Sequence, residues 1–379
     1  MIELKGIAWN HTRGFTSVVA AAQRFEELQP NIRITWEKRS LQAFADASLA
    51  QLTGQYDLLV MDNPHVSIAV KDNYLLPFDD YLSADFLKDQ MINSVGHSYA
   101  SYHLNGKQWT LATDAATPIA TWRADLMKKH NLSVPQTWDQ VCALAKKRHI
   151  AFASIPIDTL MHHYMLCHAL SGSVFKNEHE VAPLEVMIQA IEKYKALLDL
   201  VPGYCLESNP IQIAERMTRT DEISYSPFNY GYCNYSTANY ADHILTAGGL
   251  VSLEGKTLCS TLGGAGLAVS AQSEHVQAAM QYCQFCASEK IQKGLYFDFG
   301  GQPGHRQAWL DDKVNAASNQ FFKNTLNTVD QAILRPQYYG YMHFQDEASV
   351  VIFDAITGKN SVKAVAQKMN EIYKQSRTL

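Results

Sequence analysis

The chain lacks a hydrophobic run long enough to cross a membrane, and it lacks an excess of basic residues. Its 379 residues include 32 Lys and Arg against 37 Asp and Glu, which gives a formal net charge of -5. A membrane-spanning helix needs about 20 consecutive apolar residues, and a nucleic-acid-binding surface needs clustered Lys and Arg. Since neither pattern occurs, we expect no membrane insertion and no nucleic-acid partner.

Common enzyme signatures are also absent from the sequence. It contains no GxSxG, Walker A or HExxH motif, and no GxGxxG follows the first predicted strand. His162, His163 and His168 do not have the i, i+4 spacing of helical metal pairs. We therefore expect no catalytic residues, no metal and no cofactor.

Cysteine usage and the N-terminus bear on the compartment. Seven cysteines leave one unpaired in any disulfide scheme, and the CxxC of Cys283 and Cys286 lies inside a predicted helix, which favours packing over redox chemistry. The first residues, MIELKGIAWNHTRG, have neither the basic segment nor the apolar core of a signal peptide. The protein is expected to be periplasmic or extracellular if a signal has been removed, and cytoplasmic if Met1 is the native start.

Strand and helix patterns alternate from the start of the chain. Residues 2–9, 32–37 and 56–61 read as strands, and 16–28 and 41–52 as the helices between them. This alternation predicts an α/β fold with a parallel sheet covered on both faces. The binding crevice of such a sheet lies at the carboxyl ends of its strands, where 10–14 and 62–65 are found.

The chain length favours two lobes, and the pattern changes after Trp109. A strand at 118–122, helices after Thr137 and at 183–200 and 211–217, and a strand at 222–226 are predicted. The last strand leads into the aromatic segment SYSPFNYGYCNYS. Its rings can stack on a ligand or fill a core, and we expect about half of them to face solvent or core instead of a ligand.

Residues 260–309 join a glycine-rich strand, a helix at 276–291 begun by a Ser273 cap, and a second glycine turn. Gly263 and Gly264 lack side chains, so their backbone amides can approach a bound molecule. The turn at 300–303 carries Gln302 and returns the chain toward the same region. This segment is predicted to form one wall of a ligand cleft.

Four motifs carry a resemblance to a known family. They are Pro135, Thr137, Trp138 and Asp139 at a helix start, the segment PFNYGYCNYS, the strand GGAGLAVS, and Gln292 followed by the GGQP turn. In this order they resemble extracellular solute-binding protein family 1, the maltose-binding-protein-like substrate-binding proteins of ABC importers.

The resemblance implies a two-lobe, type II periplasmic-binding-protein-like fold with a ligand cleft between the lobes. Lobe 1 would comprise 1–112 plus 262–309, and lobe 2 would comprise 113–261 plus 310–379. The implied function is capture of one small solute by hinge closure and its delivery to ABC permease subunits in the membrane. A monomer is expected.

The loop after the first strand departs from the small polar and acidic residues of sugar binders, because it reads WNHTRG. His11 and Arg13 at a helix N-terminus favour an anion, since the helix dipole and unpaired amides add positive potential. Arg306 and Arg335 adjoin turns and either bind the same anion or form surface ion pairs. The expected ligand is a small polar, anionic organic solute, either an organic acid or a sugar derivative.

Each candidate residue has an expected role. Arg13 and the glycine amides would hold the anionic group, His11, Asp62 and Asp114 would bind hydroxyls, and the aromatic residues would cover apolar faces. Asp62 could instead cap a helix, and Asp114 and Thr117 could instead brace a hinge. The full set of expected ligand-binding residues is Trp9, Asn10, His11, Arg13, Asp62, His65, Asp114, Thr117, Tyr225, Phe228, Tyr230, Gly263, Gly264, Gln302, Arg306 and Arg335. The alternative function is a cytoplasmic enzyme or ligand sensor built on the same scaffold.

Overall fold

The computed structural model of the protein describes residues 1–40 and 48–379. The strands are β1 Ile2–Trp9, β2 Ile32–Arg39, β3 Leu58–Asp62, β4 His103–Leu104, β5 Lys107–Gln108, β6 Pro118–Trp122, β7 Tyr225–Tyr230, β8 Thr246–Gly248, β9 Ser252–Leu253, β10 Lys256–Thr257 and β11 Ala265–Val269. The helices are α1 Thr12–Leu28, α2 Leu49–Thr53, α3 Val66–Lys71, α4 Ala84–Ile92, α5 Ala124–Lys129, α6 Trp138–Lys146, α7 Pro156–Ser171, α8 Leu184–Leu198, α9 Pro210–Arg219, α10 Val276–Ala287, α11 Glu289–Ile291, α12 Arg306–Leu310, α13 Asp312–Ala317, α14 Phe321–Asp330, α15 Tyr341–Ile356 and α16 Val362–Ser376. Of the helix predicted at 41–52, residues 41–47 lie outside the described residues.

The chain divides into two compact units. Unit 1 comprises Met1–Ala116, Tyr232–Asn234 and Leu262–Ser318, and unit 2 comprises Thr117–Gly231, Tyr235–Thr261 and Asn319–Leu379. Relative to the expected lobe 1, unit 1 also contains 113–116, 310–318 and the three residues 232–234. The short insertion at 232–234 cannot be inferred from the sequence, because it interrupts a continuous aromatic segment.

Unit 1 is built on a four-stranded sheet with the order β11-β3-β1-β2. β1 runs parallel to both β2 and β3, whereas β11 pairs antiparallel with β3. The three strands of the predicted alternation are parallel as expected, and β11 adds an antiparallel edge that the alternation did not include. β11 enters at the carboxyl end of β3, where Ala265 lies opposite Asp62, and Gly263, two residues before Ala265, is bridged to Ala116.

Side chains of this sheet alternate between two apolar clusters, as expected for a sheet covered on both faces. Leu4, Leu58 and Leu267 belong to one cluster, together with residues of α1 and α10. Ile7 and Leu59 belong to the other, together with residues of α2 and α3. The covering of both faces fixes the sheet, and with it the positions of the loops at its carboxyl edge.

Two helix starts differ from the sequence prediction. α1 begins at Thr12 because the imidazole of His11 caps it, so the predicted loop at 10–14 is largely helix. α10 begins after His275 rather than at a Ser273 cap, because the Ser273 hydroxyl is bound to Asp57. The helix predicted as continuous to residue 291 ends at Ala287, and α11 follows Ser288.

Unit 2 contains an antiparallel sheet, β7-β6-β8, and a group of packed helices formed by α7, α8, α15 and α16. β7 covers Tyr225–Tyr230, later than the predicted strand at 222–226. None of the helices in residues 1–40 and 48–379 is long and apolar enough to cross a membrane.

The CxxC cysteines lie inside α10, and both are fully buried. Burial raises the pKa of the Cys286 thiol to about 12, and it also raises the pKa of Cys283. Because thiolates rather than thiols are the reactive form, this environment suits packing residues.

Candidate functional site

The order of the strands in unit 1 places a switch point at the carboxyl edge of the sheet, where a crevice is expected. β1 lies between β3 and β2, so the chain leaves the ends of β1 and β3 in different directions. Ligands bind at such switch points in open α/β sheets. Polar residues follow both strands: Asn10 is exposed, and His11, Asp62 and His65 are half-buried.

His11 holds the start of α1 next to this crevice. Its Nδ1 accepts a hydrogen bond of 3.0 Å from the backbone N–H of Arg13. Burial, together with the neighbouring charge of Arg13, lowers the pKa of His11 to about 3. The imidazole is therefore neutral at physiological pH and serves as a helix cap.

Asp62 also caps a helical turn, as the alternative interpretation of this residue expected. Its Oδ1 accepts a hydrogen bond of 2.8 Å from the backbone N–H of Asn63, where a short 3₁₀ helix, Asn63–His65, begins. The carboxyl group stays half-buried at the end of β3. This cap fixes the carboxyl group at the crevice.

Arg13 is bound by a carboxylate of the protein itself. Its Nε donates to Asp114 Oδ2 at 2.7 Å, and its Nη2 donates to Asp114 Oδ1 at 2.5 Å. Both side chains are buried, at 4% and 2% exposure. Burial lowers the pKa of Arg13, but the charge and hydrogen bonds of Asp114 outweigh burial and raise it overall.

The carboxylate of Asp114 neutralises the positive charge of Arg13 inside unit 1. The backbone N–H of Ala265 donates to Asp114 Oδ1 at 3.2 Å as well, so both carboxylate oxygens accept hydrogen bonds from the protein. The charge argument for an anionic solute at Arg13 therefore loses its basis. The geometry gives Arg13 and Asp114 a positioning role, because they tie α1 to the segment before residue 116.

Tyr232 completes this part of unit 1 and is absent from the expected set of ligand-binding residues. Its ring centroid lies 4.6 Å from the guanidinium carbon of Arg13 and 4.7 Å from the imidazole centroid of His11. The sequence shows that this segment is rich in aromatic residues, but it does not show which of its tyrosines contacts Arg13 and His11. Trp9 lies farther from the guanidinium, at 6.0 Å.

Gln302 joins three segments of unit 1. Its Oε1 accepts from the backbone N–H of Cys233 at 2.8 Å, and its Nε2 donates to the carbonyl of Ala115 at 2.7 Å. Its side chain is 1% exposed. The predicted glycine turn at 300–303 therefore holds the backbone segments of Ala115 and Cys233 together through the side chain of Gln302.

The glycines before β11 have a packing role as well. The N–H of Gly263 donates to the carbonyl of Ala116 at 2.8 Å. Gly264 has φ of 103°, and a Cβ built there would lie 2.6 Å from the carbonyl oxygen of Asp114. Close contact between two backbone segments accounts for glycine at this position without a ligand.

We expect Gly264→Ala to lower the free energy of unfolding by about 1–3 kcal/mol more than Gly255→Ala, because overpacking adds to backbone strain. Both glycines have positive φ, but a Cβ at Gly255 meets no atom within 4 Å. The control therefore contains the strain of a left-handed residue without the clash. Urea denaturation of both variants measures the difference, and equal losses would contradict the packing role.

The expected residues of unit 2 lie mainly in its interior. Phe228 is 1% exposed and stacks on Trp138, and Tyr225 is fully buried. The hydroxyl of Thr117 donates to the carbonyl of Pro118 at 2.9 Å, which suits a bracing role. Tyr230 is half-buried, and its hydroxyl lies 3.4 Å from that of Thr261.

The two remaining arginines belong to different units. Arg306 begins α12 in unit 1, and its Nε donates to the carbonyl of Ser94 at 3.3 Å. Arg335 is buried in unit 2 and donates from Nη1 to Gln345 Oε1 at 3.0 Å. In the described part of the chain, no group of three or more His, Cys, Asp or Glu side chains could hold a metal ion.

Solved structures share this architecture. A maltose-bound MalE3 of T. maritima superposes with a TM-score of 0.84 at 16% identity, covering 99% of this chain and 100% of that one. A ribitol complex of an ABC transporter solute-binding protein from Agrobacterium radiobacter K84 gives 0.82 at 18% identity, covering 99% and 98%. A tagatose-bound solute-binding protein from Thermotoga lettingae TMO gives 0.84 at 15%, covering all of both chains. These likenesses establish the fold as that of MalE-like periplasmic binding proteins.

A family model provides the assignment. The model described as bacterial extracellular solute-binding protein matches residues 20–324, which includes most of both units. The match agrees with the resemblance carried by the sequence motifs. The chain belongs to the bacterial extracellular solute-binding proteins, the substrate-binding components that work with ABC permeases.

Proposed function

We propose that this solute-binding protein takes a neutral, hydroxyl-rich solute, a sugar or a polyol, captures it by hinge closure, and passes it to an ABC permease. The observation that carries the proposal is the Arg13–Asp114 ion pair, because it neutralises the cation for which an anion was expected. The neutral imidazole of His11 adds no charge. The crevice of unit 1 therefore has hydrogen-bonding groups without a strong positive field.

The half-buried Asp62 supports a hydroxyl-rich ligand. Its carboxylate follows β3 at the carboxyl edge of the sheet, and a carboxylate accepts hydrogen bonds from hydroxyls while it repels anions. Asn10 after β1 is exposed and offers both a donor and an acceptor. The ligands named for the structural neighbours, which are maltose, ribitol and tagatose, are all neutral and rich in hydroxyls.

A thermal-shift screen tests the solute class. Ribitol, tagatose, mannitol and maltose are compared with succinate and citrate at one ionic strength. A ligand at 100 times its Kd stabilises the folded state by about 2.7 kcal/mol, so a true ligand raises Tm by several degrees. Shifts from the organic acids and none from the neutral compounds would overturn the proposal and restore the anionic solute.

We expect Asp62→Asn to weaken binding of the best neutral ligand by about tenfold or more, because a hydrogen bond to a charged group contributes about 1.5–3 kcal/mol. Asn keeps the side-chain oxygen that caps the 3₁₀ helix Asn63–His65. Isothermal titration calorimetry measures the Kd of each variant.

Asp80→Asn is the matched control, since Asp80 is an exposed carboxylate of unit 1 that pairs with Lys107. The control should bind like the wild type. Equal affinity of the Asp62 and Asp80 variants would remove Asp62 from the site. The alternative of a cytoplasmic enzyme or sensor gains no support from these observations and is not proposed.

A further inference from the structure

We propose a second ligand site in unit 2, a cavity that binds a phosphate group. The cavity measures about 430 Å³ and is formed by three parts of unit 2. These are the loop after α7, the segment that follows α14, and the C-terminal part of α16. Its lining residues belong to unit 2 alone, so the proposal does not depend on the solute class assigned to unit 1.

Three cations meet at this cavity. Lys176 comes from the loop after α7, Arg335 from the segment after α14, and Arg377 from the end of the chain. Among the lining residues, Glu178 is the one acid. The formal charge of the lining is therefore positive, which favours an anion.

The arginines differ in depth, and together they suit an oxyanion. Arg335 lines the cavity and is 5% exposed, whereas the side chain of Arg377 is 23% exposed. The hydrogen bond of Arg335 to Gln345 limits its orientations. Guanidinium groups present planar pairs of N–H donors that match phosphate oxygens, and a desolvated guanidinium interacts more strongly than an exposed one.

Arg377 is held in place from two sides. Its guanidinium carbon lies 4.0 Å from the ring centroid of Tyr338, and its Nη2 forms an ion pair of 2.5 Å with Glu178. A side chain fixed in this way loses less conformational entropy when it binds a ligand. Glu178 competes with any anion for this group.

Lys176 at the rim supplies a flexible charge. It is exposed and makes no ion pair within the part of the chain that the structure describes. The preceding residue, Phe175, has φ of 58°, and its ring packs against Tyr164 and Tyr373. The loop that carries Lys176 is thus anchored by a buried aromatic contact.

The volume allows more than an isolated phosphate ion. The side-chain amides of Asn177 and Gln337 also line the cavity and could bind hydroxyl groups of an attached organic part. The shared chemistry is a phosphate group, which is available from a free phosphate or phosphomonoester and from a lipid headgroup.

Inorganic phosphate is the first probe, titrated into the full-length protein and followed by amide chemical shifts in NMR spectra. We expect saturable binding whose Kd rises about tenfold in Arg377→Gln, because a charge-assisted contact is lost. Arg216→Gln is the matched control. Arg216 lies 4.1 Å from the ring of Tyr204 and pairs with Glu222 in the same unit, but it does not line this cavity.

Glu178→Gln separates a binding role from a structural one. Removal of this carboxylate frees Arg377 from its ion pair, so Glu178→Gln should bind phosphate several-fold more tightly than the wild type. If the ion pair were only structural, Glu178→Gln and Arg377→Gln would weaken phosphate binding equally. Lys176→Gln should weaken binding less than Arg377→Gln, since its charge is exposed.

Vesicle flotation distinguishes the two sources of the phosphate group. Binding to phosphatidylglycerol vesicles but not to phosphatidylcholine vesicles, with loss in Arg377→Gln, assigns the site to a lipid headgroup. Binding of inorganic phosphate alone assigns it to a free solute. If neither probe binds, or if Arg377→Gln and Arg216→Gln behave alike, the proposal is overturned. These outcomes do not depend on the result of the sugar screen, because the cavity is lined by unit 2 alone and the sugar proposal concerns residues of unit 1.

Discussion

Replacing Asp114 with Asn is expected to lower the free energy of unfolding by about 3–5 kcal/mol, because it leaves the guanidinium of Arg13 buried without its counter-charge. Both side chains are almost fully buried, and two hydrogen bonds join them. The Asn amide group would also point a donor at a donor. Urea denaturation followed by circular dichroism measures the loss.

An exposed ion pair of the same unit is the control. Lys107 and Asp80 lie 2.8 Å apart, with side chains 42% and 50% exposed. Asp80→Asn should lower the free energy of unfolding by less than about 1 kcal/mol, because water and salt screen exposed pairs. A loss at Asp114 no larger than the loss at Asp80 would contradict the buried-pair argument.

Replacing both partners tests whether charge or shape dominates. In Arg13→Met with Asp114→Leu, no unpaired charge remains, so much of the lost stability should return. Ligand binding should not return to the same extent. The pair ties the start of α1 to the segment before residue 116, and apolar contacts do not reproduce the directions of its hydrogen bonds.

The distance along the chain explains why this pair could not be predicted as a pair. Arg13 and Asp114 both appear among the expected ligand-binding residues, but they are 101 positions apart. Their individual locations follow from local patterns, since a helix start and a crossover are visible in sequence. The contact between them depends on the folding of the whole unit.

Local patterns predicted the strands and helices well because their signals are short-range. β1 and β6 have the predicted bounds. The antiparallel direction of β11 was not predictable, because a five-residue apolar strand carries no information on its partner. Tyr225 and Phe228 belong to unit 2, whereas Tyr232 belongs to unit 1. The aromatic segment is continuous in the sequence, so it could not show which of its residues belong to which unit.

The remaining prediction with a large effect concerns buried titratable groups on α7. Burial lowers the pKa of His162 and of His163 to about 3, and it raises the pKa of Asp158 to about 7. Asp158 Oδ2 and His162 Nε2 have no hydrogen-bond partner among the described residues. The protein therefore folds with neutral histidines and, below about pH 7, a protonated aspartic acid.

The histidines and the aspartic acid affect stability in opposite directions. In the unfolded chain, His titrates near pH 6.5 and Asp near 3.9. The histidine contribution is present above pH 6.5 and is lost as the pH falls toward 3, because the unfolded state binds protons that the folded state excludes. The aspartic acid contribution is present below about pH 4 and is lost as the pH rises toward 7.

Between pH 4.5 and 6, the two histidines together should therefore oppose and outweigh the aspartic acid. Each proton changes the slope of stability against pH by about 1.4 kcal/mol per pH unit. Asp158→Asn should steepen the fall in stability toward acid by about that amount. His162→Gln with His163→Gln should lower the slope by about twice as much, which reverses the sign of the combined contribution of these three groups.

Slopes from urea denaturation at several pH values test this, since they do not depend on how far each variant is destabilised overall. The control is His343→Gln on α15, because His343 is an exposed histidine at the surface rather than a buried one. If the double histidine variant does not fold, His163→Gln alone should flatten the slope by about one proton. Variants that shift the slope in the same direction would contradict the assignment, because desolvation opposes a positive charge on His and a negative charge on Asp.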